Sequence, residues 1–396
     1  MYYKIFAFVL ICCQSYARFS GIGIEDFDSV KEPGYFPNKV DHFDPSNNET
    51  FGHRYWPGDY ICNDDKPLFI YICGESAGRD VLDGSLVRVL AKEFGGTVVV
   101  LEHRFYGESF PKRDLSLSNL KTLSHDQALE DIASFIKYLK DVKRLGDNKV
   151  FTVGGSYAGA LSAWARYKFP HLIAGALSSS GVVNAVLDFY QFDEQVQRVV
   201  RNRSPSCEQI IRELLDEAKH MWEVDPWKLK SAHKAFYFEW EDFAFYYSDI
   251  FVETVQYGRG TELCKKMEEI KNAPDRQEQL AKLAKENRAE PHQYAFQFIR
   301  NTHASASHSY RQWTYQYCSS LAYFNSVGPQ SNPLRFKDMD LNYWQTYCEK
   351  SFGTKVYPNT VHTNSLYGGV KIADVASRII FTNAGDDPWQ WAGIRE

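Results

Sequence analysis

The chain has 396 residues, of which 44% are hydrophobic, 24% charged and 15% aromatic, and this excludes disordered, collagen-like and low-complexity proteins. At about 150 residues per domain, the length predicts two to three domains, or one large domain carrying an insertion. The 45 basic and 50 acidic residues leave a net charge of −5, which offers no cationic field to a nucleic acid and no polybasic tract to an anionic membrane.

The first 17 residues read as a secretory signal peptide. Lys4 supplies the positive start, Ile5 to Cys13 the apolar stretch, and Ser15-Tyr16-Ala17 small residues at a cleavage site. That stretch is far shorter than the roughly 20 apolar residues that cross a bilayer, so no stable membrane anchor is expected. Cys12 and Cys13 leave with the signal. Cys62, Cys73, Cys207, Cys264, Cys318 and Cys348 remain, an even set that predicts three disulfides in an oxidising compartment. None has zinc spacing, and neither a metal nor an organic cofactor is expected. Sequons at Asn48 and Asn202 predict glycosylation on the same route, to the lysosome or the cell exterior.

Next come short apolar runs without alternation: Pro67 to Cys73, Thr97 to Leu101, Lys149 to Val153, Ala174 to Leu177 and Arg378 to Thr382. Strands buried on both faces of a parallel sheet have this pattern. Helical periodicity separates them, as over Ser124 to Lys143, where Ala128, Ile132, Phe135, Ile136 and Leu139 recur every three or four residues. The alternation predicts a doubly wound α/β domain over 18–186, completed by 360–396. Between them, 187–359 is helical in pattern and rich in aromatics, and reads as an insertion. Within it, Lys265 to Glu290 has few apolar anchors and predicts an exposed helix pair broken near Pro274.

Gly154-Gly155-Ser156-Tyr157-Ala158-Gly159 closes the third run and opens a helix. A nucleophile elbow has this form, because a serine on a strained strand-to-helix turn tolerates only small neighbours. Ala158 stands where the strict motif has its second glycine. Ser156 is the predicted nucleophile, and the Tyr157 amide at the helix start a predicted oxyanion donor. On this fold the partners follow in the order serine, acid, histidine. Asp387, at the end of the last run, is the predicted acid, with Asp386 the adjacent alternative. No histidine follows it, since the last is His362. His103, His125 and His171 are out of order and read as structural.

Several further blocks carry a family resemblance. They are Asp41-His42-Phe43 with Thr50-Phe51-Gly52-His53-Arg54-Tyr55, Tyr71-Ile72-Cys73-Gly74-Glu75, Glu102-His103-Arg104-Phe105-Tyr106-Gly107, Trp313-Thr314-Tyr315-Gln316-Tyr317-Cys318 and Asp387-Pro388-Trp389. With the serine block they resemble the S28 serine peptidases: the prolyl carboxypeptidase, dipeptidyl peptidase II and, most of all, thymus-specific serine protease groups. The resemblance implies an α/β-hydrolase fold with an inserted helical lid of the SKS type, Ser156 as nucleophile and Asp387 as acid. It places a second oxyanion amide near Gly74 and Glu75, and pairs Cys318 with Cys348. Local position suggests Cys62–Cys73 and Cys207–Cys264.

The implied activity is a proline-directed serine exopeptidase, either a Pro-Xaa carboxypeptidase or a dipeptidyl peptidase. Its expected partners are peptide substrates, with a homodimer as a further expectation. The family's histidine lies beyond the acid, so the alternative is a member that binds peptides without turnover; an esterase on the same fold is a third. The family's lid cysteine is followed by Thr-Glu, here Ser319-Ser320, which predicts loss of an acid at the pocket edge. Amino-terminal sequencing of the secreted protein should begin at Arg18; a mature chain beginning at Met1 would contradict the signal peptide.

Overall fold

The computed structural model describes residues 32–58, 66–142, 148–287, 289, 291–329 and 333–395. The predicted signal peptide and Cys62 lie outside the described residues. The strands, in chain order, are β1 (Gly34–Lys39), β2 (Thr50–Trp56), β3 (Leu68–Ile72), β4 (Thr97–Leu101), β5 (Val150–Gly155), β6 (Gly175–Ser179), β7 (Val186–Asp188), β8 (Ala322–Phe324) and β9 (Ile379–Thr382). One sheet runs β1-β2-β4-β3-β5-β6-β9, while β7 and β8 pair apart from it. From β4 to β9 the sheet is parallel, and β1 and β2 extend it antiparallel. With helices on both faces, this is the expected α/β-hydrolase fold.

The apolar runs are continuous because both faces are covered. Ile70, Ile72, Val99 and Leu101 face one core with Ile132, Phe135 and Trp164 of the helices His125–Val142 and Ser156–Lys168. Their neighbours Phe69, Tyr71, Val98 and Val100 face the other, against Val87 and Ala91 of the helix Leu86–Phe94. Successive residues point to opposite faces, so a strand covered twice must be apolar throughout.

Among the described residues, nothing between β6 and β9 joins the large sheet. This stretch is helical, and its aromatic residues mostly form core: Phe238, Phe243, Tyr246, Tyr247 and Phe251 are buried. The predicted charged helix pair exists as Gly260–Lys271 and Arg276–Glu286, but it is not merely exposed. Leu263, Met267, Ile270, Leu280 and Leu283 are buried, with both helices against Pro205–Val224. A few anchors at helical spacing suffice to seat a helix.

Two disulfides staple this block. Cys207–Cys264 joins Pro205–Val224 to Gly260–Lys271, and Cys318–Cys348 ties the end of the helix Tyr310–Gln316 to Leu341–Phe352. Replacing Cys318 and Cys348 together by serine should cost about 2–5 kcal/mol in urea unfolding; an unchanged midpoint and slope would show that the staple is idle.

Candidate active site

Parallel register brings three strand ends side by side: Gly155 of β5 pairs with Ser179 of β6, which pairs with Thr382 of β9. Ser156 follows the first. Its φ is +57°, a left-handed backbone between extended Gly155 and the helix that Ser156 opens. A Cβ at Gly154 would stand 2.1 Å from the Ala158 carbonyl oxygen, so no side chain fits there. Ala158 is tolerated at the other motif position. The tight contact falls one residue later, where a Cβ at Gly159 would come 3.0 Å from Gly181 Cα and Ser179 O.

Asp387 follows β9 on a short loop and is 2% exposed. Its Oδ1 accepts from the Trp389 amide at 3.0 Å, and the Ser180 hydroxyl at the end of β6 also bonds the carboxylate. Burial outweighs these bonds and pushes its pKa up to about 6. Asp386, by contrast, makes a surface ion pair with Arg203 at 2.8 Å.

The Gly74-Glu75 turn leaves β3 and lies against the elbow: a Cβ at Gly74 would sit 3.6 Å from the Ala158 methyl. Buried Glu102 fastens the segment after it, accepting from the Gly78 amide at 2.8 Å, the Glu108 amide at 3.0 Å, Ser109 Oγ at 2.7 Å and Arg54 Nε at 3.0 Å. Arg104 donates twice to Asp131 at 2.6 Å and also to the Val40 and Thr122 carbonyls. Burial alone would raise the Asp131 pKa, yet Arg104 and the hydrogen bonds hold it well below the usual carboxylate range. His53 sits between Asn38 and the Glu102 carbonyl, where a neutral ring both accepts and donates. Several blocks behind the family resemblance thus act as buried scaffolding.

None of the three sequence-flagged histidines attends Ser156. His103 Nε2 and His125 Nδ1 meet the Tyr157 hydroxyl at 3.1 and 3.0 Å, and Gln316 Nε2 donates to it at 2.8 Å. Burial pushes His103 down to about 4 and His125 down to about 3, so both are neutral. His171 is on the surface against Phe169. Among the described residues, no histidine hydrogen-bonds Ser156 or Asp387.

A cavity of about 360 Å³ opens over Ser156, lined also by Gly74, Glu75 and residues of the helical block. Position 320 does not border it. Ser320 Oγ meets His125 Nε2 at 2.9 Å and donates to the Gln316 carbonyl, so an acid there would face the buried histidine. The predicted loss of a pocket-edge acid is thereby corrected. The cavity's acids are instead Glu75 and two that sequence reasoning missed, Asp249 and Glu253, on the helix Trp240–Gln256. Their only signal was two carboxylates one turn apart within the apolar and aromatic part of a helix that also carries Glu241 and Asp242 at its start. Burial pushes Asp249 up to about 6, opposed by Arg335 and the Tyr294 hydroxyl. Burial and the neighbouring Asp249 together push Glu253 up to about 8, opposed by Arg259. Among the described residues, no group of His, Cys, Asp and Glu could hold a metal ion, and no helix is long and apolar enough to cross a membrane. Both sequon asparagines are exposed, and both predicted disulfides within the helical block form.

A raised carboxyl pKa means that the folded state binds the proton more tightly than the unfolded one. Stability from Glu253 is then full below its ordinary 4.5 and is lost as pH rises towards about 8. Thermal melts should show wild type losing stability relative to Glu253→Gln across that window; parallel curves would contradict the burial.

The profile of the serine carboxypeptidase S28 family matches residues 38–396. A probable serine protease of Arabidopsis thaliana is 36% identical over 378 residues, covering 90% of this chain and 75% of the relative. The thymus-specific serine protease of Mus musculus is 29% identical over 93% of this chain and 79% of its own. The lysosomal Pro-X carboxypeptidase of Bos taurus is 26% identical over 91% and 78%. With the elbow, the fold and this match along nearly its whole described length, the chain belongs to the serine carboxypeptidase S28 family.

Proposed function

We propose that this chain is a serine exopeptidase of the secretory route that cleaves peptides near proline through an acyl-enzyme on Ser156. The carrying observation is the left-handed Ser156 at the mouth of the cavity, on the strand end two places from Asp387. Ser156 Oγ attacks the scissile carbonyl, and the Tyr157 amide, with an amide of the Gly74-Glu75 turn, receives the oxyanion. Asp387 would orient an imidazole, which none of the described histidines supplies, to take the serine proton and return it to the leaving amine; water would then release the acyl group. The helical block serves as a lid that admits a chain end and excludes folded protein. Proline preference is supported by the likeness to a Pro-X carboxypeptidase.

A second reading, a peptide-binding member without turnover, is favoured by one observation. Among the described residues, His103 and His125 are committed to Tyr157 and no histidine hydrogen-bonds Ser156 or Asp387. Hydrolysis of proline-containing reporter peptides separates the two. The exopeptidase reading expects turnover that falls by a factor on the order of 10⁶ in Ser156→Ala with an unchanged melting temperature. Equal turnover in the variant would overturn the serine assignment, and peptide binding without wild-type turnover would establish the second reading.

A further inference from the structure

We propose that the exposed aromatic rings running from Trp227 to the mouth of the cavity bind the part of a long peptide that stays outside it, an extended segment bearing proline. The inference rests on the peptide-site reading above and gives that reading a length requirement.

The rings form a track rather than a scatter. Trp227 packs on Phe236 with centroids 5.1 Å apart, Phe236 is followed in the chain by Tyr237, and Tyr237 meets Phe298 at 5.5 Å. Phe298 meets His292 at 6.0 Å, and His292 meets Tyr310 at 5.5 Å. Tyr310 borders the same cavity as Ser156, so the track is continuous with the site. Trp227, Phe236, Tyr237 and Phe298 are between 37% and 65% exposed, on a block whose other aromatic residues mostly form core. The display is built in. Trp227 stands in the first turn of the helix Pro226–His233, which ends on left-handed Lys234. Ala235 and Phe238 are buried on either side of Phe236 and Tyr237. Lys230 closes this loop, its ammonium donating to the Phe238 carbonyl at 2.7 Å and its carbonyl accepting from the Ala235 amide at 2.8 Å. Two buried anchors thus hold the rings between them out in water, and a contiguous exposed apolar patch marks a binding surface.

The shape selects the occupant. At about 200 Å² per ring, the four exposed rings offer roughly 400 Å², half of the about 800 Å² that one side of a stable protein interface uses. A second folded copy is poorly served by so little surface, whereas a narrow row of rings suits an extended chain. Polyproline II advances about 3.1 Å per residue without internal hydrogen bonds, and roughly eight residues of it cover the row. Aromatic-lined surfaces recognise such segments because proline has already fixed their conformation. The cavity, at about 360 Å³, has the size of a small-ligand pocket, so the rest of a longer peptide lies outside it.

Isothermal titration of full-length Ser156→Ala tests this without turnover. The probes are an Ala-Pro repeat of about ten residues, the tripeptide Ala-Pro-Ala, and a Gly-Ser repeat as long as the first. The long Ala-Pro peptide should bind at least about tenfold more tightly than Ala-Pro-Ala, the scale of one or two aromatic contacts. Adding Trp227→Ser with Phe236→Ser should remove that advantage and leave Ala-Pro-Ala unchanged. Both rings are exposed, so melting curves should barely move; if the pair fails to fold, Tyr237→Ser replaces it. Equal binding of long and short peptides overturns the proposal, as does an advantage that survives loss of the rings. A Gly-Ser repeat that binds as well as the Ala-Pro repeat overturns it too, since length alone would then suffice. Dimerisation, or binding to phosphatidylcholine vesicles, that the two substitutions abolish also overturns it, in favour of a second copy or a lipid surface. Fluorophosphonate labelling of wild-type Ser156 is read in parallel. Binding of Ala-Pro-Ala without a length advantage defeats the track alone, and a ring-dependent advantage without labelling defeats the acyl-enzyme alone. Binding of neither peptide defeats the track and the peptide-site reading together.

Discussion

The left-handed backbone of Ser156 is the constraint around which the fold is arranged. Holding a non-glycine residue at φ +57° costs about 1–2 kcal/mol, which the surroundings must offset. They do so by close approach. Gly154 lets the Ala158 carbonyl fold back onto β5, and Gly159 lets the helix lie on the end of β6. Tyr157 locks the result from beneath, its hydroxyl gripped by His103, His125 and Gln316. Gln316 belongs to the helical block, so the inserted helices help to hold the turn.

The polar network behind the site works to the same end. Buried Glu102 closes the loop after Gly107, where a Cβ would stand 1.8 Å from its Oε1, and ties that loop to Gly78. Arg104 and Asp131 gather the chain between β1 and β2. Each charge is paired and its remaining donors or acceptors are used, the condition under which a buried ion pair is tolerated. Removing one partner would leave its mate buried and unpaired, so these positions resist substitution although none touches the cavity.

How much was legible depended on whether the signal was local. Doubly covered strands are uniformly apolar, so β3, β4, β5, β6 and β9 stood out, and the elbow could be read because the small residues it requires fall within six positions. β1 and β2 did not stand out. They are edge-side antiparallel strands holding Pro37 and buried polar Asn38 and His53, whose partners lie far along the chain. Position 320 was placed at the pocket edge by sequence and faces His125 instead, since a side chain's direction within a helical turn is set by tertiary packing. Asp249 and Glu253 look in sequence like any solvated pair. Only the fold, by enclosing their face of the helix, brings them to the wall of the cavity that Ser156 lines.

The central claim is that the strained turn presents Ser156 as a nucleophile. Incubation of the native protein with a fluorophosphonate, followed by peptide mapping in a mass spectrometer, tests it most directly. The account predicts a single phosphonyl adduct on Ser156 that is lost on prior denaturation. An unmodified Ser156, or an adduct on another serine, would contradict it.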